Sequence, residues 1–180
     1  EMPWIKKAKA VLHGYLGGQA GASAMLDVIT GKVNPSGKLN ETYPICYEDT
    51  PTYAYYPGKE RNSEYREGVY VGYRYYDTIK KEVLFPFGFG LSYTDFSYSN
   101  LKLSENGVRF CITNVGKIAG AEIAQLYIEK ENPVVFRPVH ELKGFCKLFL
   151  QPGETREVEI PFENRTFKYF NVQTGNWETE

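Results

Sequence analysis

The chain has 180 residues, 42% hydrophobic and 16% aromatic, enough to bury one good core or one core and a smaller piece. Its 21 Lys and Arg stand against 22 Asp and Glu, a formal charge of -1, so no global basic field exists to hold nucleic acid or an anionic membrane. No stretch approaches membrane-spanning length, and the opening EMPWIKKAKA holds no signal-type apolar core.

In chain order, residues 1–44 read as a strand-turn-helix fragment of an α/β layer, too small to stand alone. KAVLHGYL is expected to form a short apolar strand, GGQAG a glycine turn, and ASAMLDVITGK a helix that stops at Gly31. NPSGKLNETYP follows as a turn and a short extended segment. The chain does not begin with Met and is expected to start inside a longer protein.

Residues 45–92 are rich in Tyr, Pro and Gly, and ten of the fifteen tyrosines lie between Tyr43 and Tyr76. So many aromatic rings are rarely left in water, so this reads as a long ordered connector. Within it, VYVGYRYY from Val69 is expected to be a strand, with Val69, Val71, Tyr73 and Tyr75 on one face and Tyr70, Gly72, Arg74 and Tyr76 on the other. Both faces are then apolar or aromatic, which places the strand between two bodies. Tyr73 and Tyr75 are expected to pack between domains, and Arg74 to fix the register with Asp77 or Glu67 as its partner.

From residue 93 the pattern is all β. GVRFCIT puts Val108, Phe110 and Ile112 on one face, and REVEIPF does the same with Val158, Ile160 and Phe162. AEIAQLYI and HELKGFCKLFL are apolar on both faces, and NVGKIAG, ENPVVFRP and QPGET supply the turns. Short strands at this spacing indicate a β-sandwich.

Chemical motifs are sparse. GYLGGQAG before a helix matches neither G-x-G-x-x-G nor a Walker loop, so it is a structural turn. Ser23 and Ser36 lack a nucleophile-elbow context, His13 reads as a strand-end residue, and His140 as an exposed or loop residue. Cys46, Cys111 and Cys146 stand far apart, with no metal-site spacing. They fit free thiols in a reducing compartment, and hence a cytoplasmic location; one disulfide with one free thiol is the alternative. Glu48, Asp49, Glu60, Glu64 and Glu67 are solvated loop charges by default, because glycosidic cleavage requires two carboxylates at a set separation that linear spacing does not reveal. The sequons at Asn40 and Asn164 matter only in a secreted eukaryotic protein.

Three long motifs nevertheless carry a resemblance, in order and over nearly the whole chain. EMPWIKKAKAVLHGYLGGQAGASAMLDVITGKVNPSGKLNETYP resembles the closing part of the α/β sandwich domain of family 3 glycoside hydrolases. EYREGVYVGYRYYD and LFPFGFGLSYTDFSYSNL resemble that family's connector, and ITNVGKIAGAEIAQLYIEKENPVVFRPVHELKGFCKLFLQPGET its fibronectin type III-like domain.

The resemblance implies a mainly β architecture. A fibronectin type III-like, immunoglobulin-like β-sandwich (93–180, lacking its last strand) is preceded by a small α/β fragment (1–44) and an aromatic connector (45–92). It also implies a retaining, exo-acting β-glucosidase-like parent with no cofactor, whose nucleophile Asp lies in a separate barrel and whose acid/base Glu lies upstream of Glu1. No catalytic residue carries over to this chain.

On that reading the partners are the missing barrel, the rest of the α/β domain and a β-linked glucoside or oligosaccharide; β-xylosidase and arabinosidase relatives leave the sugar open. The truncated sandwich is expected to be less stable than its parent and to self-associate at its edges. Tyr65 and Glu67 are expected to approach the sugar. Two other readings remain: a carbohydrate-binding module with Tyr53, Tyr55, Tyr56, Tyr65 and Trp177 as its platform, and a protein-interaction sandwich.

Overall fold

The alternation in GVRFCIT and REVEIPF becomes a pair of antiparallel strands, β4 (Gly107–Asn114) and β7 (Thr155–Pro161), joined without a slip from Gly107 opposite Pro161 to Thr113 opposite Thr155. One face buries Val108, Phe110, Val158 and Ile160. The other is polar, with Arg109 paired to Glu159 at 2.8 Å and the Thr113 and Thr155 hydroxyls 2.8 Å apart, the cross-strand pairing expected of a wet face. The computed structural model describes residues 1–59 and 61–180, so the loop carboxylate Glu60 lies outside the described residues.

Strand β3 (Phe96–Leu103) completes this sheet in the order β3-β4-β7. Strands β5 (Gly120–Ile128) and β6 (Glu141–Leu150) form a second, two-stranded sheet with a register shift at Leu126/Tyr127. Between the sheets lies the core of Val108, Phe110, Ile112, Ala124, Leu150, Val158 and Ile160, with Phe96, Leu126, Cys146, Leu148 and Phe162 packed against it. Gly144 on β6 permits the close approach: a Cβ there would fall 2.5 Å from Ile160 Cγ2. A short hairpin of β8 (Lys168–Asn171) and β9 (Asn176–Thr179) joins the ladder of neither sheet.

Asn114 is the polar pin of this domain. Fully buried, it accepts from the Thr94 hydroxyl at 2.7 Å and the Gly116 N–H at 3.1 Å, and donates to the carbonyls of Ile118 at 2.9 Å and Leu150 at 3.1 Å. Its backbone joins Glu154 and Gly153 in the β6–β7 turn. One side chain thereby satisfies groups from three loops that would otherwise be buried without partners.

The N-terminal part differs from expectation. Helix α1 (Gly21–Ile29) forms, and Gly31 beyond it takes φ +75°, the left-handed stop that only glycine adopts without strain. KAVLHGYL, however, has no ladder partner among the described residues and stays non-strand, leaving Val11, Leu12 and Leu16 exposed. An apolar run becomes a strand only when a neighbour supplies its hydrogen bonds.

The connector is an excursion closed at its base, where β1 (Tyr43–Pro44) pairs antiparallel with β2 (Val83–Phe85). The strand expected from Val69 is absent. Gly68 and Gly72 turn the chain at φ +56° and +57°, and Tyr73–Thr78 coils into helix α2. The helical period puts Tyr73, Tyr76 and Asp77 on one side, whereas a strand would have split Tyr73 from Tyr76. Cys46, Cys111 and Cys146 are all free thiols, each partly buried.

Asn114→Ala is expected to lower the unfolding free energy by about 3 kcal/mol, since it leaves several buried donors and acceptors unpaired. Urea unfolding measures this, and a loss below about 1 kcal/mol would show the Asn114 network to be dispensable.

Candidate functional site

Strand β5 carries the feature that organises the site: Ile123 and Tyr127 flank Gln125 on its outward side, a largely apolar and aromatic surface that something must cover. The cover comes from residues 34–39 and 86–90, laid against the sheet by hydrogen bonds across long sequence separations. Asn34 donates to the Ala119 carbonyl at 3.2 Å and accepts from the Ser92 hydroxyl at 3.0 Å and the Tyr93 N–H at 2.9 Å. Lys38 donates to the Gly90 carbonyl at 3.1 Å and pairs with Glu122 at 3.2 Å, with side chains only 16% and 12% exposed. Gln125 donates to the Gly88 carbonyl at 3.2 Å, and Tyr93 reaches back to the Val28 carbonyl of α1 at 2.8 Å. Gly88 must be glycine there: it sits at φ +78°, and a Cβ would meet Gln125 Oε1 at 2.3 Å.

Helix α2 adds a second line of contact. The Tyr73 hydroxyl accepts from the Leu142 N–H of β6 at 2.8 Å, while its ring meets Phe87 at 4.9 Å and Tyr127 at 5.7 Å. The Thr78 hydroxyl accepts from the Val139 N–H at 3.2 Å, and Asp77 faces His140 at 3.3 Å. Tyr75 instead packs edge-on to Tyr76 within the connector, at 5.2 Å. Arg74 pairs with neither Asp77 nor Glu67; its guanidinium lies 6.0 Å from the Tyr73 ring centre and lines a groove of about 390 Å³ whose far wall is the sandwich.

That groove contains a compact ionic cluster. Glu141 holds Arg137 at 2.5 Å and Lys143 at 3.0 Å, and Glu180 lies 3.9 Å from Arg137. Burial pushes the Glu141 carboxyl up, but hydrogen bonds from Arg137 and Lys143 outweigh it and leave the group below its ordinary value of 4.5. The other displaced carboxylates move the same way: Asp49 through Lys81 and Cys46, Glu154 through the Gln151 N–H and Arg156, Glu178 through Asn171 and Thr174, and Glu180 through the Val134 N–H. A glycosidic general acid requires the opposite displacement.

Tyr65 is 95% exposed and has no aromatic partner among the described residues, while the backbone carbonyl of Glu67 takes the Tyr70 N–H at 2.9 Å. Tyr53, Tyr55 and Tyr56 are also exposed on this loop, with Arg66 over the Tyr55 ring at 4.0 Å. Trp177 sits on β9 beneath Arg165 and beside Phe170, so the structure does not join it to the connector rings. His13 is not itself in a strand; it bonds the Tyr43 hydroxyl of β1 at 2.7 Å and stacks on Tyr15 at 3.8 Å. Sequence reasoning singled out Tyr73 but not Asn34, Lys38, Glu122 or Gln125. Only the turn chemistry of NPSGK hinted at them, because a Lys and a Glu 84 positions apart leave no periodic trace.

Two stretches of the chain match known family models. Residues 1–93 match the Glycosyl hydrolase family 3 C-terminal domain, and residues 122–180 match the Fibronectin type III-like domain. The chain is 50% identical over 188 residues to thermostable beta-glucosidase B of Acetivibrio thermocellus, covering 100% of this chain and 25% of that protein. It is 43% identical to an exo-alpha-(1->6)-L-arabinopyranosidase of Bifidobacterium breve, covering 99% and 24%. Among solved structures, the Bifidobacterium adolescentis GH3 beta-glucosidase superposes with TM-score 0.92 at 44% identity, covering 99% of this chain and 27% of that one. The chain thus spans about a quarter of the length of the relatives it matches.

The lowered Glu141 carboxyl sets an acid-labile component. A depressed folded pKa stabilises above the ordinary 4.5, and that contribution is lost as pH falls through the lower folded value. Melting temperature is expected to fall on acidification below that point, and Glu141→Gln to flatten this acid limb while lowering stability at pH 7; parallel melting curves across pH read both.

Proposed function

Because this chain belongs to glycosyl hydrolase family 3, we propose that it is the non-catalytic C-terminal portion of a retaining, exo-acting β-glucosidase-like hydrolase, its sandwich bracing the catalytic domains. The observation that carries this reading is the seam: Asn34, Lys38, Gln125 and Tyr73 fasten the α/β fragment and connector to β5 and β6 through side chains with little exposure. Such a seam holds neighbouring layers at a fixed angle. The carboxylates with displaced pKa values support the same reading, since hydrogen bonds hold Asp49, Glu141, Glu154, Glu178 and Glu180 below their ordinary values rather than above them. The nucleophile and acid/base then reside in parts of the enzyme outside these residues. Relatives named as glucosidases and as an arabinopyranosidase share this segment at 43–50% identity, so the likeness of this segment does not name the sugar.

We assign the connector loop a contributory role in substrate approach. Its support is the exposed Tyr65 ring, which offers an apolar face to a sugar at small entropic cost.

An aryl β-glucoside assay decides the main reading: the full-length enzyme is expected to turn over, and the 180-residue chain to give none. Turnover by the chain alone overthrows it. In the full-length enzyme, Tyr65→Ala is expected to raise KM roughly three- to tenfold at unchanged kcat; an unchanged KM removes Tyr65 from the substrate path.

A further inference from the structure

A second cavity of about 390 Å³ lies where the connector meets the outer face of the β5–β6 sheet. Its walls are aromatic, formed by Tyr73 and Tyr127 edge to face at 5.7 Å, with Phe87 against Tyr73 at 4.9 Å. Its floor is rigid, because Gln125 is held on both ends, donating to the Gly88 carbonyl at 3.2 Å and accepting from the Tyr127 hydroxyl at 2.7 Å. Asp77 and His140, with side chains 40% and 44% exposed, stand at the solvent side.

The hydrogen-bonding capacity of this cavity is not spent. Thr42 lines it, and its hydroxyl, turned away from solvent in this rotamer, has no partner among the described residues. A buried hydroxyl left so carries a cost that folding proteins normally avoid. The Tyr73 oxygen accepts from Leu142 N–H, which leaves its own proton to donate. Asp77 uses Oδ2 toward His140, leaving Oδ1 as an acceptor, and His140 Nε2 lies 3.6 Å from Glu129, long for a hydrogen bond. Unspent donors and acceptors thus converge beside aromatic faces in a volume within the range of small-molecule sites. Neither a fatty nor a strongly charged ligand fits this mixture. A ring of hydroxyls with one apolar face does.

We propose that this cavity binds a single neutral hexose, with Thr42, Tyr73 and Asp77 engaging its hydroxyls and Tyr127 or Phe87 its apolar face. The Thr42 hydroxyl reaches the sugar by turning to another of its staggered χ1 wells. The choice of a hexose over other small polyols rests on the glycoside-hydrolase reading above, since such an enzyme works among free sugars. Occupancy would bridge α2 and residues 86–88 to β5, and so tighten the seam in response to sugar concentration.

Titration of the 180-residue chain with D-glucose, followed by amide chemical shifts, tests this. One saturable site is expected, with shifts centred on Gly88, Gln125 and Asp77. Thr42→Val and Asp77→Asn should each weaken binding roughly three- to tenfold, the effect of one hydrogen bond, while Tyr65→Ala leaves it unchanged. Thr42→Val should also keep or raise the melting temperature, because it removes an unpaired buried hydroxyl; a purely structural Thr42 would not lose sugar affinity. If that variant fails to fold, Asp77→Asn carries the test. No saturable site, glycerol binding as tightly as glucose, or binding lost in Tyr65→Ala but kept in Thr42→Val overturns the proposal. Turnover of a glucoside by the chain would sink the non-catalytic reading instead, leaving this titration's answer intact.

Discussion

A strand with apolar or aromatic side chains on both faces has to be covered twice, and β5 is such a strand. Its inward side is covered by the sandwich core, where Ala124 and Leu126 meet the β4 and β7 residues. Its outward side, with Ile123, Gln125 and Tyr127, is covered by residues that precede the sandwich. Removing that cover would place aromatic surface in water and strip Lys38 from Glu122, a pair too enclosed for solvent to replace it cheaply. The connector and sandwich are therefore energetically one body, although their compositions suggest two.

Polar groups at the seam act by position more than by number. Asn34 bridges residues 92–93 to Ala119, and Asn114 does the equivalent inside the sandwich. Each amide donates and accepts at once, so each fixes segments on two sides of itself, which a single ion pair does not. The ionic cluster at Arg137, Glu141 and Lys143 behaves differently. Burial pushes the Glu141 carboxyl up, but hydrogen bonds from two cations outweigh it, and the result is a fixed strut rather than a proton donor.

The parts of the fold legible in advance were those ruled by local periodicity. Val108, Phe110 and Ile112 alternate with polar residues, and a period of two admits only a half-buried strand. Gly31 announced the end of α1 because the left-handed conformation it takes excludes most other residues. The stretch from Val69 misled for the same local reason: Val, Tyr and Tyr again favour strand, and the sequence does not say that Gly72 will take positive φ and start a helix. The N-terminal run misled in the opposite way, since its apolar content suits a strand but pairing needs a neighbour. In the site, Tyr73 stood out as one of a dense group of tyrosines, whereas Thr42, Gln125 and His140 had no local signature at all.

By itself, then, the sequence determined the two-faced strands of the sandwich, the helix stop at Gly31, the near-neutral charge that leaves no global field for polyanions, and the motifs that tie the chain to its family. Tertiary structure alone decided which tyrosines join layers and which stay in water, that Glu122 meets Lys38, and that Thr42, its hydroxyl unpaired among the described residues, ends beside an aromatic cavity. The physical reason is range. Propensity and periodicity act within a few residues, whereas burial and hydrogen-bond satisfaction are settled by groups as far apart as Asn34 and Ala119, which only the folded chain brings together.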